Sequence, residues 1–196
     1  MGVTGGVGSG KSTVLSYLEE KYGARVIRLD DVSRALLLPG GACVEDTVRI
    51  FGQEIVREDG TLDRAKIAAV IFQDEEKRKA LDALIHPAVK AETIRLQKEA
   101  EEEGVRYLVI EAALLLEEKY NAICSEVWYI YADIATRYSR LESSRGYSKE
   151  RIAGMMASQL SEETFRSSCD FTIDNSGSEQ ETHAAVDCRM AELAAV

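Results

Sequence analysis

Proline is scarce, with two in a chain of 196 residues. Together with 45% hydrophobic and 30% charged residues, that scarcity argues against a disordered or fibrous chain and for an ordinary soluble globular protein with a real core. The length suits one α/β folding unit with small subdomains carried on insertions. There is no C-x-x-C pair. Cys43, Cys124, Cys169 and Cys188 are far apart, which excludes a zinc knuckle or a dithiol redox motif and predicts reduced thiols, mostly buried. No apolar run reaches membrane-spanning length, and Met1 leads directly into a glycine-rich loop without a signal-like segment, so the expected location is the cytoplasm with no membrane partner. Positive charge is in deficit. A formal net charge of -10 opposes the broad positive field that nucleic acid or anionic lipid requires, so an anionic ligand needs a locally basic site. Internal repeats, low-complexity linkers and an N-K-x-D guanine-reading motif are also missing.

What remains reads as alternating strands and helices. Met1 to Thr4 is a short apolar start, Gly5 to Gly10 a glycine-rich loop, and Lys11 to Lys21 a helix with Val14, Leu15 and Leu18 on one face. A second strand over Arg25 to Leu29 ends at Asp30 and Asp31, and the helix after it stops at Pro39-Gly40-Gly41. From Cys43 to Gly104 the pattern is almost wholly helical, interrupted at Glu58-Asp59-Gly60 and again at His86-Pro87, because proline disfavours helix in the residue before it. Val105 to Ile110, ending at Glu111, and Val127 to Tyr131 read as parallel strands buried on both faces. A charged helical region bearing Arg137, Arg140, Arg145 and Arg151 comes next, then a short strand at Phe171 to Ile173 and a final helix.

The chemistry concentrates in Gly5-Gly6-Val7-Gly8-Ser9-Gly10-Lys11-Ser12, which matches G-x-x-x-x-G-K-[ST] between a strand and a helix. Such a loop curls its N–H groups inward and adds the positive end of the adjoining helix dipole, making a cradle for phosphates. Gly8, Ser9, Gly10, Lys11, Ser12 and Thr13 are therefore the expected ATP contacts, with Lys11 reaching the β- and γ-phosphates and the Ser12 hydroxyl on Mg2+. Asp30, at a strand's carboxyl end where ligands of doubly wound sheets collect, either takes the proton of an attacking hydroxyl or caps a helix, with Asp31 the better placed cap. Arg34, four residues on, either holds a carboxylate or substrate phosphate or forms a surface ion pair. Glu111 either holds magnesium in the manner of a Walker-B acid or caps the next segment of chain. The arginines beyond Asp133 form either a closing lid or a solvated helix face.

Several further segments resemble the dephospho-CoA kinase family: T-G-G-V-G-S-G-K-S-T at 4–13, L-D-D-V-S-R at 29–34, D-G-T-L-D-R at 59–64, I-H-P at 85–87, E-A-A-L-L-L-E at 111–117, R-L-E-S-S-R-G-Y-S at 140–148, Gln159, and C-D-F-T-I-D-N-S-G at 169–177. The resemblance implies a single domain of the P-loop NTPase fold, an α/β structure with a doubly wound, five-stranded parallel sheet. It implies a core at 1–61, 104–132 and 166–196, a helical CoA-binding subdomain at 62–103 and a lid at 133–165. It implies ATP and dephospho-CoA as small-molecule partners, Mg2+, and a monomer or weak homo-oligomer. By the same resemblance Asp30 positions the acceptor hydroxyl. Arg34, Asp63, Arg64 and His86 belong to the acceptor side, His86 being either a ligand contact or a satisfied structural histidine. Arg140, Arg145 and Asn175 belong to the ATP side, with Arg140 and Lys11 joining Asp30 in catalysis. The chain departs from the family pattern at Arg28, which replaces a common first Asp, and at Ala113, which replaces a common Pro. The family pattern also supplies further residues before the first strand, which is thinly provided here.

Overall fold

The computed structural model describes residues 1–195. In chain order its elements are β1 (Gly2–Thr4), α1 (Lys11–Tyr22), β2 (Arg25–Arg28), α2 (Leu29–Leu36), α3 (Val44–Phe51), α4 (Arg64–Gln73), α5 (Glu75–Glu102), β3 (Leu108–Glu111), β4 (Val127–Tyr131), α6 (Ile134–Arg145), α7 (Lys149–Ala157), α8 (Glu162–Ser168), β5 (Phe171–Asp174) and α9 (Glu179–Ala194). The strands make the parallel sheet of five that the family resemblance implies, in the order β2-β3-β1-β4-β5. The chain divides into two compact units, one comprising Met1–Val26 and everything from Val105 onward, the other Ile27–Gly104. The expected helical subdomain at 62–103 lies within the second unit, and the expected lid at 133–165 within the first.

In the first unit β1 has only three residues, all buried, yet it pairs on both sides, Gly2 with Ile110 of β3 and Gly2 to Thr4 with Val127 to Tyr129 of β4. Its parallel neighbours are continuous apolar runs, as strands covered on both faces require. Val14, Leu15 and Leu18 of α1 and Val186 and Met190 of α9 close over Val3, Val109, Trp128, Ile130 and Ile173 in one core. Gly23 ends α1 in the left-handed conformation (φ 63°). α9 begins at a capping box in which Ser178 and Glu181 satisfy each other's backbone N–H groups.

The second unit has its own core of Phe51, Ile55, Leu62 and Ile67, packed by Val44, Val48, Val70 and Leu81. Asp63 caps α4 by accepting from the N–H groups of Ala65 and Lys66, and Asp74 caps α5. The break expected at His86-Pro87 does not occur: α5 runs continuously from Glu75 to Glu102 with Pro87 inside it. The restriction on a residue before proline is a local bias, and here it is outweighed by a buried stripe of Ile85, Val89, Thr93 and Ala100 at helical spacing.

Other expectations shift by smaller amounts. β3 starts at Leu108 rather than Val105, and its register with β1 begins at Ile110. Neither Asp30 nor Asp31 caps α2, since that helix starts at Leu29 with Arg28 as its N-cap and both acids in its first turn. All four cysteines are free, but only Cys43 is buried; Cys124 and Cys169 are half-buried and Cys188 is exposed.

Candidate active site

The glycine-rich segment forms a loop between β1 and α1 that is closed on itself and braced from outside. Within it, Ser9 N–H donates to Gly6 O and Thr13 N–H to Gly10 O, each at 3.1 Å, and Lys11 Nζ donates to Gly5 O at 2.9 Å. Gly10 is the N-cap of α1, in the left-handed region at φ 84°, with no side-chain cap and no acidic residue in the first turn. A helix start of that kind offers N–H groups and a positive dipole end to an anion. Gly10 has a second reason to be glycine, because a Cβ there would lie 2.2 Å from Asn175 Nδ2.

Asn175 follows β5 and is almost fully buried, at 4% exposure. Its Nδ2 donates to Ser9 O at 2.7 Å, its Oδ1 accepts from Thr182 Oγ1 at 2.8 Å, and its own N–H donates to Tyr131 O at 2.8 Å. Arg140, from α6, donates to Ser9 O at 3.3 Å and to Asn175 O at 2.8 Å. These contacts bring Ser9, Gly10, Arg140 and Asn175 together. Arg145 sits in the last turn of α6, exposed. Nearby Arg145 first, and then Arg151, hold the Tyr147 phenol below its ordinary pKa.

Thr13 lies half-buried in the first turn of α1, and Ser12 beside it is exposed. Glu111 is half-buried at the carboxyl end of β3, level with Val3, one residue before the last residue of the loop-bearing strand. No group of three His, Cys, Asp or Glu side chains able to hold a metal exists among the described residues. One hydroxyl and one carboxylate fit an ion that takes its other ligands from nucleotide phosphates and water, as Mg2+ does, and would not fit a metal caged by protein alone.

The residues expected on the acceptor side, Asp30, Arg34, Asp63, Arg64 and His86, all belong to the second unit. Asp30 is exposed in the first turn of α2. Arg34 pairs at 3.0 Å with Asp31 rather than with Asp30, and both partners are more than half exposed, so the pair adds at most about 1 kcal/mol. Asp63 is held below the usual carboxylate pKa range by the N–H of Lys66 first and by Arg57 at 3.3 Å. Arg64 opens α4 and His86 lies on α5, both exposed.

Two contributors to the loop escape sequence reasoning about roles. Arg137 donates Nε to Val7 O, and Gln159 accepts from Val7 N–H. A signal existed for the first, because Arg137 precedes Arg140 by one helical turn and so shares its face.

A family model described as dephospho-CoA kinase matches residues 1–181. The chain is 34% identical over 194 residues to the dephospho-CoA kinase of Shouchella clausii, covering 99% of this chain and 98% of the relative. It is 39% identical over 187 residues to the dephospho-CoA kinase of Symbiobacterium thermophilum, covering 95% and 78%. Among solved structures, TT1252 from Thermus thermophilus superposes with a TM-score of 0.80 at 31% identity, covering 98% of this chain and 96% of that one.

Proposed function

This chain belongs to the dephospho-CoA kinase family, and from that premise we propose how its residues divide the work. The reaction is ATP-dependent phosphorylation of the ribose 3'-hydroxyl of dephospho-CoA, giving CoA and ADP, the final step of coenzyme A biosynthesis. The observation that carries the assignment is the match of the family model over 1–181, which spans the phosphate loop and every acceptor-side position.

ATP sits on Gly8 to Thr13, its phosphates against the open start of α1, with Lys11 exchanging its bond to Gly5 O for the β- and γ-phosphates. Asp30 orients the 3'-hydroxyl for in-line attack. The new O–P bond forms as the bond to the leaving ADP oxygen breaks, and Asp30 accepts the hydroxyl proton late, since the transition state is loose. Arg34, Asp63, Arg64 and His86 bind the acceptor. Arg145 and Asn175 serve the ATP side. Arg140 is held beside the loop by its bonds to Ser9 O and Asn175 O, and its remaining N–H groups are free to meet oxygens of the transferring phosphate. Ser12 and Glu111 would hold Mg2+, which when bound neutralises phosphate charge. Arg28, at the common position of a first Asp, leaves the acidic work to Asp30, Asp31 and Glu111.

No helix among the described residues is long and apolar enough to cross a membrane. The four free cysteines support a reducing, cytoplasmic setting. We expect a monomer or a weak homo-oligomer.

The test is a mass-spectrometric acceptor screen with Mg-ATP, comparing dephospho-CoA with adenosine, nucleoside monophosphates and pantetheine phosphate, alongside Asp30→Asn. The wild type should form CoA. The variant should lose about 10²–10⁴-fold in kcat while binding ADP normally. Phosphorylation of a different acceptor would sink the assignment, and a fully active Asp30→Asn would sink the role of Asp30.

A further inference from the structure

Both backbone groups of Val7 leave the phosphate loop for side chains far along the chain. Its N–H donates to Gln159 Oε1 at 3.1 Å and its carbonyl accepts from Arg137 Nε at 2.8 Å. A second arm of the same guanidinium donates to Gln159 Oε1 at 2.8 Å, closing the three residues into a ring. Arg137 projects from α6, and Gln159 follows α7 by two residues. The outer arc of the loop is therefore clipped at one residue to two separate helical segments.

Gly6 reports the same contact. A Cβ there would come within 2.5 Å of the Arg137 guanidinium. Gly6 is not among the glycines with positive φ, so this glycine answers to the arginine lying over it and not to backbone strain. Arg137 is half-buried, and burial works against its charge. Among the described residues no carboxylate is paired with it. A half-desolvated guanidinium without a counter-charge is costly to keep, and what it holds here is a fork of two bonds, to Val7 O and Gln159 Oε1, that a single-nitrogen donor does not span.

We propose that Arg137 and Gln159 are positioning residues for the nucleotide: by fixing Val7 from both sides they hold the curl that turns the amides of Gly8 to Thr13 toward phosphate. This rests on the reading that the loop holds ATP. Without the clip, the first half of the loop must be ordered on binding, and each residue so ordered opposes binding through lost backbone freedom. The expected effect is about a 10-fold loss of nucleotide affinity, equivalent to about 1.4 kcal/mol. The ring also predicts non-additivity, because removing either side chain already opens it.

The test is calorimetric titration of ADP, with no acceptor present, into the full chain as wild type, Arg137→Met, Gln159→Met and the double variant, with melting temperatures measured in parallel. Each single variant should weaken ADP about 10-fold, the double by no more than about 20-fold, and the affinity loss should not track the melting temperature. Arg137→Lys should stay weak, because an ammonium retains the charge without the fork that spans Val7 O and Gln159 Oε1. Wild-type affinity in the singles, a roughly 100-fold loss in the double, or full recovery with lysine would each overturn the proposal. Should Arg137→Met fail to fold, Gln159→Met decides alone. A wild type that binds ADP but phosphorylates no dephospho-CoA refutes the acceptor assignment and leaves this readout intact.

Discussion

Replacing Asn175 by alanine removes two neutral, buried hydrogen bonds and almost nothing else. The lost bonds run from Nδ2 to Ser9 O and from Thr182 Oγ1 to Oδ1, at 2.7 and 2.8 Å. Each partner keeps a second, longer contact: Ser9 O still accepts from Arg140 at 3.3 Å, and Thr182 Oγ1 still reaches Ser178 O at 3.2 Å. The backbone bond from Asn175 N–H to Tyr131 O is untouched. Two bonds at about 0.5–1.5 kcal/mol each, with neither partner stranded, give a loss of about 1–3 kcal/mol. Urea unfolding followed through Trp128 measures it, because this is the only tryptophan and it is completely buried in the same unit. A cycle with Thr182→Val isolates the second bond. The two variants should couple by about 1 kcal/mol, with the urea m-value unchanged. Losses that add within about 0.3 kcal/mol would refute the bond to Thr182, and an alanine variant as stable as the wild type would refute the view that Asn175 braces the loop.

Two further outcomes are expected from features elsewhere in the chain. Pro87→Ala should stabilise the Ile27–Gly104 unit by about 1–3 kcal/mol, read by thermal melts in far-ultraviolet circular dichroism, since it restores a bond inside α5 and relieves ring crowding; an unchanged or lower melting temperature would mean that the ring's packing outweighs both. Asp187 accepts from Lys21, Tyr22 and Tyr17, and these contacts depress its pKa to about 2. A folded-state value below the ordinary carboxylate value of about 3.9 contributes stability that is fully present above that value and lost as pH falls through about 2. The difference in stability between wild type and Asp187→Asn should therefore be constant above about pH 4 and shrink below it, and a difference that grows on acidification would contradict the assignment.

The phosphate loop was legible because its information is contiguous: spacing, flanking strand and flanking helix all lie within Gly2 to Tyr22. The β4 strand was read to the residue, since an apolar run that must be covered on both faces has few alternatives. Pro87 misled because a local backbone preference was weighed without the packing stripe that overrides it. The pairing of Arg34 with Asp31 rather than Asp30 turns on where α2 starts, and helix boundaries are the least readable feature of a sequence. The shared helix face with Arg140 pointed to Arg137, but the contacts that Arg137 and Gln159 make were not readable. Their partner Val7 lies more than a hundred residues away in sequence, and nothing in a helix periodicity says which carbonyl an arginine will find.

The division into a continuous unit and an interrupted one sets an order for synthesis on the ribosome. Ile27–Gly104 contains every residue of its own core, so it can condense as soon as Gly104 clears the exit tunnel. β1, although made first, has its strand partners among the described residues in β3 and β4 alone, with Val3 opposite Glu111 and Trp128. The nascent phosphate loop thus emerges early, without the strands beside it or the α6 arginines and Asn175 that brace it, and long-range parallel pairing of this kind is the slow part of folding. Pausing translation after Gly104 should leave a protected helical unit on a still-digestible N-terminal segment, and the nucleotide cradle should acquire protease resistance only once β5 and α9 have been released.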